Sequence, residues 1–512
     1  MNLAGVISEV ARRYGDKPAI VFENTTYTYN DLDRQVRHYS ALLVRLGVRR
    51  GDRVAIQLPK RIEFIFLELA VMSVGGVMLP LNTDYQAEEI RYFLSDSGSR
   101  LFFTDGRRFE RSQEVLGTLR QVITVVVDPT DGATSMGLKT ELDNTDPNFE
   151  RVYPAAGDDL AAILYTSGTT GKSKGAMLSH TNLISNMKAL HEIWDWSDRD
   201  ILLHVLPLFH VHGLFVALHG GLYAGATIIM HERFDPVKTW ETIEKEKCTV
   251  LMGVPTIYRR LLNQWQLSEP KADLSSMRVF ICGSAPLLET LFNRFEQATS
   301  FRILERYGMT EAVMVASNPI EPTGRKAKSV GYALPGVEIR IVSNRDEDVV
   351  PGQVGEVWVR GDNVFQGYWQ MSEKTAESFE DKWFKTGDLG FQDPLDGRRL
   401  FIVGRSKELI ISGGENVYPK EIEDVLESHH AVKEAAVVGL PDDDFGEKVS
   451  AFVVMNTDDK TSPDDLILFC KERLAGYKCP KMVVMMDALP RNAMGKIQKN
   501  ELVEKFSGAN HS

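Results

Sequence analysis

Between Tyr165 and Gly175 the chain reads YTSGTTGKSKG. Glycines, lysines and a run of hydroxyls are the chemistry of anion binding. Backbone N–H groups of a turn rich in glycine, here Gly168 and Gly171, can form an anion nest. Lys172 and Lys174 add charge, and Thr166, Ser167, Thr169 and Thr170 add donors. The spacing argues against a nucleotide P-loop, which needs glycine, four residues, then Gly-Lys-Ser/Thr. Gly171-Lys172-Ser173 supplies the second half, but Thr166 stands where the first glycine belongs. A P-loop also runs from a strand straight into a helix. Here LAAILY reads as a strand, GAMLSH as a short apolar piece, and helical periodicity begins only at TNLISNMKALHEIW. The stretch is expected to join two strands, as a phosphate-holding turn or as a solvated hairpin.

Other residues could do chemistry. Thr310 and Glu311 in YGMTE offer two hard oxygen ligands, or a helix cap. Asp388 in TGD is an acceptor or a turn residue. His210 and His212 in LPLFHVHGL would share one face of a strand as a metal pair, yet no third ligand stands at a suitable spacing. Lys496 in MGKIQK reads, taken alone, as a solvated charge.

The elements around these residues alternate. RVAIQLP, GVMLPLN and SRLFFTD are strands; RIEFIFLELAVMSVG and QAEEIRYFLSDSG are helices between them. The rhythm returns in GATIIMHERFD, PVKTWETIEKEK, CTVLMGVP, TIYRRLLNQW and MRVFICGSAP. Such βαβ order implies mainly parallel sheets covered by helices. From about residue 325, GVEIRIVSN, GEVWVRGDNVFQGYW and RLFIVG alternate apolar and polar residues between glycine turns, which reads as a small antiparallel β subdomain. After GRSKELIISGGENVYP, a helix, a strand and a hairpin close the chain as an α+β unit of roughly 100 residues. The fold class is therefore α/β. A large domain spans 1–404 and a small domain 408–512, with the boundary at 405–407; that the boundary is a hinge and the small domain mobile is what the family resemblance described below implies.

Composition bounds the rest. The 512 residues are 43% hydrophobic and 25% charged, which is globular. A net charge of −12 argues against nucleic-acid partners and against broad binding to anionic membranes. Cys248, Cys282, Cys470 and Cys479 lack metal or disulfide spacing and fit a reducing, cytoplasmic setting. The N-terminus does not read as a secretory signal, nor GANHS as a peroxisomal address. FIFLELAVMSVGGVMLPLN is interrupted by Glu68, two glycines and Pro80, so a buried helix, turn and strand are expected rather than a membrane span.

Five stretches, in order, resemble the signatures of one family: YTSGTTGKSKG, ERYGMTE, KTGDLG, GRSKELIISGGENVYPKEIE and PRNAMGKIQK. They are similar to those of the adenylate-forming, AMP-binding enzymes, which include acyl-CoA synthetases, luciferases and peptide-synthetase adenylation domains. The resemblance covers about Thr25 to Lys499. It implies a two-step reaction: a carboxylate attacks the α-phosphate of ATP, and a thiol then displaces AMP from the acyl-adenylate. In that reading Thr166 to Gly175 wraps the β- and γ-phosphates. Glu311 helps hold Mg²⁺, and Thr310 contacts the α-phosphate or the metal. Gly283, Ser284, Ala285 and Pro286 flank adenine, with Tyr307, Gly308 and Met309 on its other side. Asp388 and Arg405 take the ribose. Lys496 is the adenylation lysine and Lys407 the hinge. After domain rotation Ser412, Gly413, Gly414 and Glu415 admit coenzyme A.

The same resemblance bears on the acid. Amino-acid-activating relatives carry an aspartate where this chain has His210, which is expected to orient or gate the substrate carboxylate, while His212 is structural. Segments such as LPLFHVHGLFVALHG and VLMGVPTIYRRLL look most like malonyl-CoA synthetases. Arg278 is expected to bind the second carboxylate. The pocket segment AVMVA (Ala312 to Ala316) is apolar, so a medium-chain or cyclic acid stays open beside malonate. Coenzyme A is the expected acceptor; a stand-alone enzyme loading a carrier protein is the alternative. Oligomeric state is not indicated.

Overall fold

The alternation of apolar strands and amphipathic helices builds two sheets whose strands are largely parallel. A computed structural model describes residues 1–129, 136–150, 153–166, 173–412, 415–442, 445–456, 461–492 and 496–507. In the first sheet Arg53–Gln57 pairs in parallel with Val77–Pro80 and Leu101–Thr104. The helix Ile62–Ser73 between them is buried on every face. That explains Glu68 in an apolar run: its Oε1 lies 2.8 Å from His219 Nε2, and a buried acid needs such a partner. Among the described residues no helix is long and apolar enough to cross a membrane.

The glycine-rich stretch does join two strands of this sheet. Leu160–Thr166 and Lys174–Ser179 run antiparallel, with Tyr165 opposite Gly175 and Thr166 opposite Lys174. Ser167, Gly168, Thr169, Thr170, Gly171 and Lys172 lie outside the described residues. The helix His180–Ile193 starts one residue later, where Ser179 Oγ accepts from Asn182 N at 3.1 Å as its cap.

The second sheet runs through Thr227–Met230, Ile201–His204, Val250–Gly253, Val279–Cys282 and Leu304–Met309, all parallel. Helices Pro236–Lys245, Pro255–Leu267 and Glu289–Thr299 connect them. The expected antiparallel β subdomain is present and continues this sheet. Leu304–Met309 pairs with Val313–Ser317, and the ladder continues through Ser329–Ala333, Arg399–Arg405, Trp383–Asp393, Gly355–Gly361 and Val337–Val342. Ala312, Val315 and Ala316 pack into a core with Ile341, Val357, Val359 and Leu400. Three members of the expected pocket segment AVMVA are thus packing residues.

The small domain follows the helix, strand and hairpin order read from the sequence. Helix Pro419–Glu427 leads to Val432–Asp442, which pairs antiparallel with Gly446–Met455. Its apolar clusters draw on residues from Ile410 onward, one on each side of the sheet.

Candidate active site

Ligands of open parallel sheets bind beyond the carboxyl ends of the strands. There Val279–Cys282 ends in Gly283 and Leu304–Met309 ends near Thr310. Around this edge the predicted residues gather into three groups.

The first group forms where the hairpin strands meet a segment that the sequence pattern reads only as a strand end. Gly367 and Trp369 bond across to Met177 and Gly175, so Tyr368 lies against the hairpin strand. Lys174 Nζ stands 5.1 Å from the Tyr368 ring centre. Tyr368 Oη donates to Glu311 Oε1 at 3.1 Å. Glu311 is buried, and burial raises its pKa while the Tyr368 hydroxyl lowers it. Lys174 is shifted down by burial, then by Lys374 and Lys407, while Glu311 opposes. Tyr92 Oη donates to Ser173 O at 2.8 Å and braces the end of the hairpin. Thr310 sits half-buried in the turn beside Glu311.

The second group joins Tyr307, Asp388 and Arg405. Tyr307 Oη donates to Asp388 Oδ2, and Arg405 Nε meets Asp388 Oδ1 at 2.6 Å. Asp388 and Arg405 face each other across paired strands, which sets this geometry. Burial raises the Asp388 pKa and Arg405 opposes it. Tyr307 Oη also lies 4.0 Å from Met309 Sδ. Gly308 must be glycine, because a Cβ there would come within 2.1 Å of Val313 O. Lys496 is exposed. Surrounding protein atoms and Arg405 lower its pKa, while Glu408 and Asp388 raise it. The small-domain lysine thus stands in the field of the large-domain pair.

The third group contains a residue the sequence reading passed over. Arg306 is 3% exposed, and its Nε and Nη2 are buried without a hydrogen-bond partner among the described residues. Its guanidinium lies against Gly283, where a Cβ would stand 2.3 Å from Arg306 Cζ. Burial lowers its pKa to about 10, so it remains charged near neutrality. Ser284 takes φ +68°, a strained angle for a residue with a Cβ, and its Oγ lies 3.2 Å from His212 Nδ1. His212 Nε2 is buried and unpartnered among the described residues. Burial pushes His210 down to about 4 and His212 well below its usual value. Both imidazoles are neutral near pH 7, so the charge at this end comes from Arg306. Ala285 and Pro286 are exposed at the rim.

Two expectations are corrected by this geometry. His210 and His212 do not share a strand face, since His212 opens a π-helical turn, His212–Leu218. Such turns are frequent at functional sites. Arg278 is not among the site residues. It precedes Val279–Cys282, five residues from Gly283, or about 16 Å along an extended strand. Its Nε and Nη2 each lie 3.1 Å from an Asp200 carboxylate oxygen, and Nη1 donates to Trp194 O at 2.6 Å. Each of its three guanidinium nitrogens has a partner at the far end of the sheet.

Lys407 is exposed in a short 3₁₀ turn, Ser406–Glu408, at the domain junction. Ser412 pairs with Glu415 across a hairpin and with Gly446 beyond it, within the small domain. Gly413 and Gly414 lie outside the described residues. Among the described residues no group of three or more His, Cys, Asp or Glu could hold a metal.

Lys174, the buried Glu311, the Asp388–Arg405 ion pair and Lys496 thus gather from both domains at the carboxyl edge of the sheet. The chain belongs to the AMP-binding enzyme family, whose model matches residues 7–369, while the AMP-binding enzyme C-terminal domain matches 421–496. It is an AMP-forming acid:CoA ligase. It is 35% identical to oxalate--CoA ligase of Arabidopsis thaliana over 99% of this chain and 98% of that protein. It is 34% identical to the mitochondrial malonate--CoA ligase ACSF3 of Mus musculus, over 97% and 90%. ATP-bound MatB from Rhodopseudomonas palustris superposes with a TM-score of 0.92 at 40% identity, covering 99% of this chain and 100% of that one.

Proposed function

We propose that the acid is a short dicarboxylate, with malonate the best fit, and that Arg306 reads its second carboxylate. The carrying observation is a fully buried guanidinium with two unpartnered donors, on the strand next to Gly283. Leaving such donors unpaired is costly, and a planar fork pairs best with a carboxylate. Relatives that bear the names malonate and oxalate ligase agree in chemical class.

The reacting carboxylate lies beside His210 and attacks the α-phosphate, and the bond to pyrophosphate breaks. Two anions meet in this step, so cations must be in place beforehand. Lys496 bridges the carboxylate and the α-phosphate, and Lys174 serves the leaving phosphates. Tyr307 flanks adenine, and Asp388 and Arg405 take the ribose. Glu311, with its buried carboxylate oriented by Tyr368, and Thr310 offer oxygen ligands that suit Mg²⁺, which takes few protein ligands beside substrate phosphates. When bound, that ion neutralises phosphate charge. The small domain, 408–512, then turns about 405–407 and brings the 412–415 hairpin to the adenylate. The coenzyme A thiol attacks the acyl carbon and AMP leaves. Four buried free thiols agree with a cytoplasmic site of action.

Pyrophosphate release with ATP and Mg²⁺, with and without coenzyme A, tests the acid. Coenzyme A-dependent turnover on malonate, well above acetate, butyrate, octanoate and benzoate, is expected. Turnover on octanoate or benzoate with none on malonate or oxalate would overturn the dicarboxylate.

A further inference from the structure

Glu434 lies on the small-domain strand Val432–Asp442, beside a register shift between Val432 and Glu434. Its two oxygens serve two domains. Oε1 accepts from Arg259 Nη1 at 3.0 Å, and Arg259 belongs to the large-domain helix Pro255–Leu267. Oε2 accepts from Arg491 Nη2. Arg491 pairs with Ile497, the residue after Lys496, as an antiparallel bridge. Beside that bridge Asn492 N donates to Lys496 O at 2.9 Å, and Lys496 N donates to Asn492 Oδ1 at 3.0 Å. A path of side-chain and backbone bonds therefore runs from the large domain to the lysine.

The shielding gives the contact weight. The Glu434 side chain is 16% exposed, and the two arginines are 28% and 29% exposed. Charge-assisted bonds at a part-buried interface exceed open surface pairs, and a carboxylate shared by two guanidiniums has both oxygens satisfied. A second contact on the same side is longer: Lys328 Nζ stands 3.9 Å from Asp424 and 3.1 Å from Glu289 of its own domain. The two bonds of Glu434 differ in kind. Its bond to Arg491 is internal to the small domain and moves with it, while its bond to Arg259 must break for the domain to turn.

The geometry points to Glu434 and Arg259 as positioning residues for the first half-reaction. The Arg259–Glu434–Arg491 clasp holds the small domain in the orientation that turns Lys496 toward Asp388 and Arg405. This rests on the two-step reading above. It assigns the pair a role in one half-reaction only, because the clasp is open once the domain has rotated.

The test uses full-length Arg259→Gln, Glu434→Gln and the double variant, with Lys496→Ala beside them. Acyl-adenylate formation is followed as single-turnover pyrophosphate release. Thioester formation is followed from supplied acyl-adenylate and coenzyme A. Arg259→Gln leaves the small domain's own bonds intact and is the discriminating variant, should Glu434→Gln lose stability. Each single variant is expected to slow adenylation about tenfold, with the double no slower than either, and to leave the thioester step unchanged. Unchanged adenylation, additive losses, or equal losses in both half-reactions would overturn the clasp. Loss of adenylation in Lys496→Ala alone then leaves the two-step reading standing. Normal adenylation in Lys496→Ala would overturn the assignment of that lysine, and the clasp with it.

Discussion

Arg278 grips Asp200 with two nitrogens, each 3.1 Å from a carboxylate oxygen, at the end of its strand opposite to Gly283. Asp200 is almost wholly buried, and Thr249 and Ser197 also donate to it. Arg278→Leu would leave this acid without its cation, a loss of about 3 kcal/mol for a buried pair broken on one side. The expected result is a lower urea midpoint with the order of preference among acids unchanged. Selective loss of malonate turnover in a stably folded variant would return Arg278 to the acid pocket.

Arg306 carries the opposite prediction. Arg306→Leu should lower kcat/KM for malonate about 100-fold or more, because truncating one partner of a buried charge pair removes most of its stabilisation. Turnover of monocarboxylates should fall far less. Arg306→Lys should not restore malonate, since an ammonium lacks the two-pronged geometry. Steady-state kinetics on malonate and butyrate decide it.

Lys496→Ala should abolish adenylate formation and largely spare thioester formation from supplied adenylate. Lys407→Pro, which fixes one backbone angle at the junction, should do the reverse. Rapid-quench measurement of the two half-reactions separates them. Equal loss of both in each variant would count against domain rotation.

Glu305 gives a pH prediction. It is buried, Oε1 accepts from Leu287 N at 2.8 Å, and Oε2 has no partner among the described residues. Burial raises its pKa from 4.5 to about 8. The native state therefore binds an extra proton between these values. Its contribution is fully present below the unfolded pKa and is lost as pH rises through about 8. Glu305→Gln, which has the shape of the protonated form, should flatten this loss. Urea midpoints at about pH 6 and about pH 9, for both proteins, measure it. Equal pH slopes would show that Glu305 is not the source.

The order of strands and helices was legible because burial imposes a period of two or 3.6 on apolar residues. The hairpin connection of the glycine-rich stretch was legible because a P-loop needs a different first residue. Arg306 was not, although ERYGMTE was in view. The reading stopped at Tyr307, and a charge inside a buried strand gives no periodic signal. The apolar pair Ile303-Leu304 just before Glu305-Arg306 was the available hint. Arg278 was misplaced for a simpler reason: a residue before a parallel strand and a loop after it lie at opposite edges of the sheet. Tyr368 was hidden because its position depends on a long-range pairing with the hairpin strand, which local sequence does not encode. The packing role of Ala312, Val315 and Ala316 depends likewise on strands far along the chain.

The antiparallel ladder that carries Asp388 and Arg405 continues without a break into the parallel strands that carry Gly283 and Arg306. In the function proposed above, nucleotide and acid would therefore be received along one continuous sheet, with the small domain as the moving part. On that reading, choice of acid and timing of chemistry are mechanically separate. A new acid could be accommodated by exchanging side chains on two neighbouring strands, with the nucleotide grip and the stroke of the moving domain left as they are.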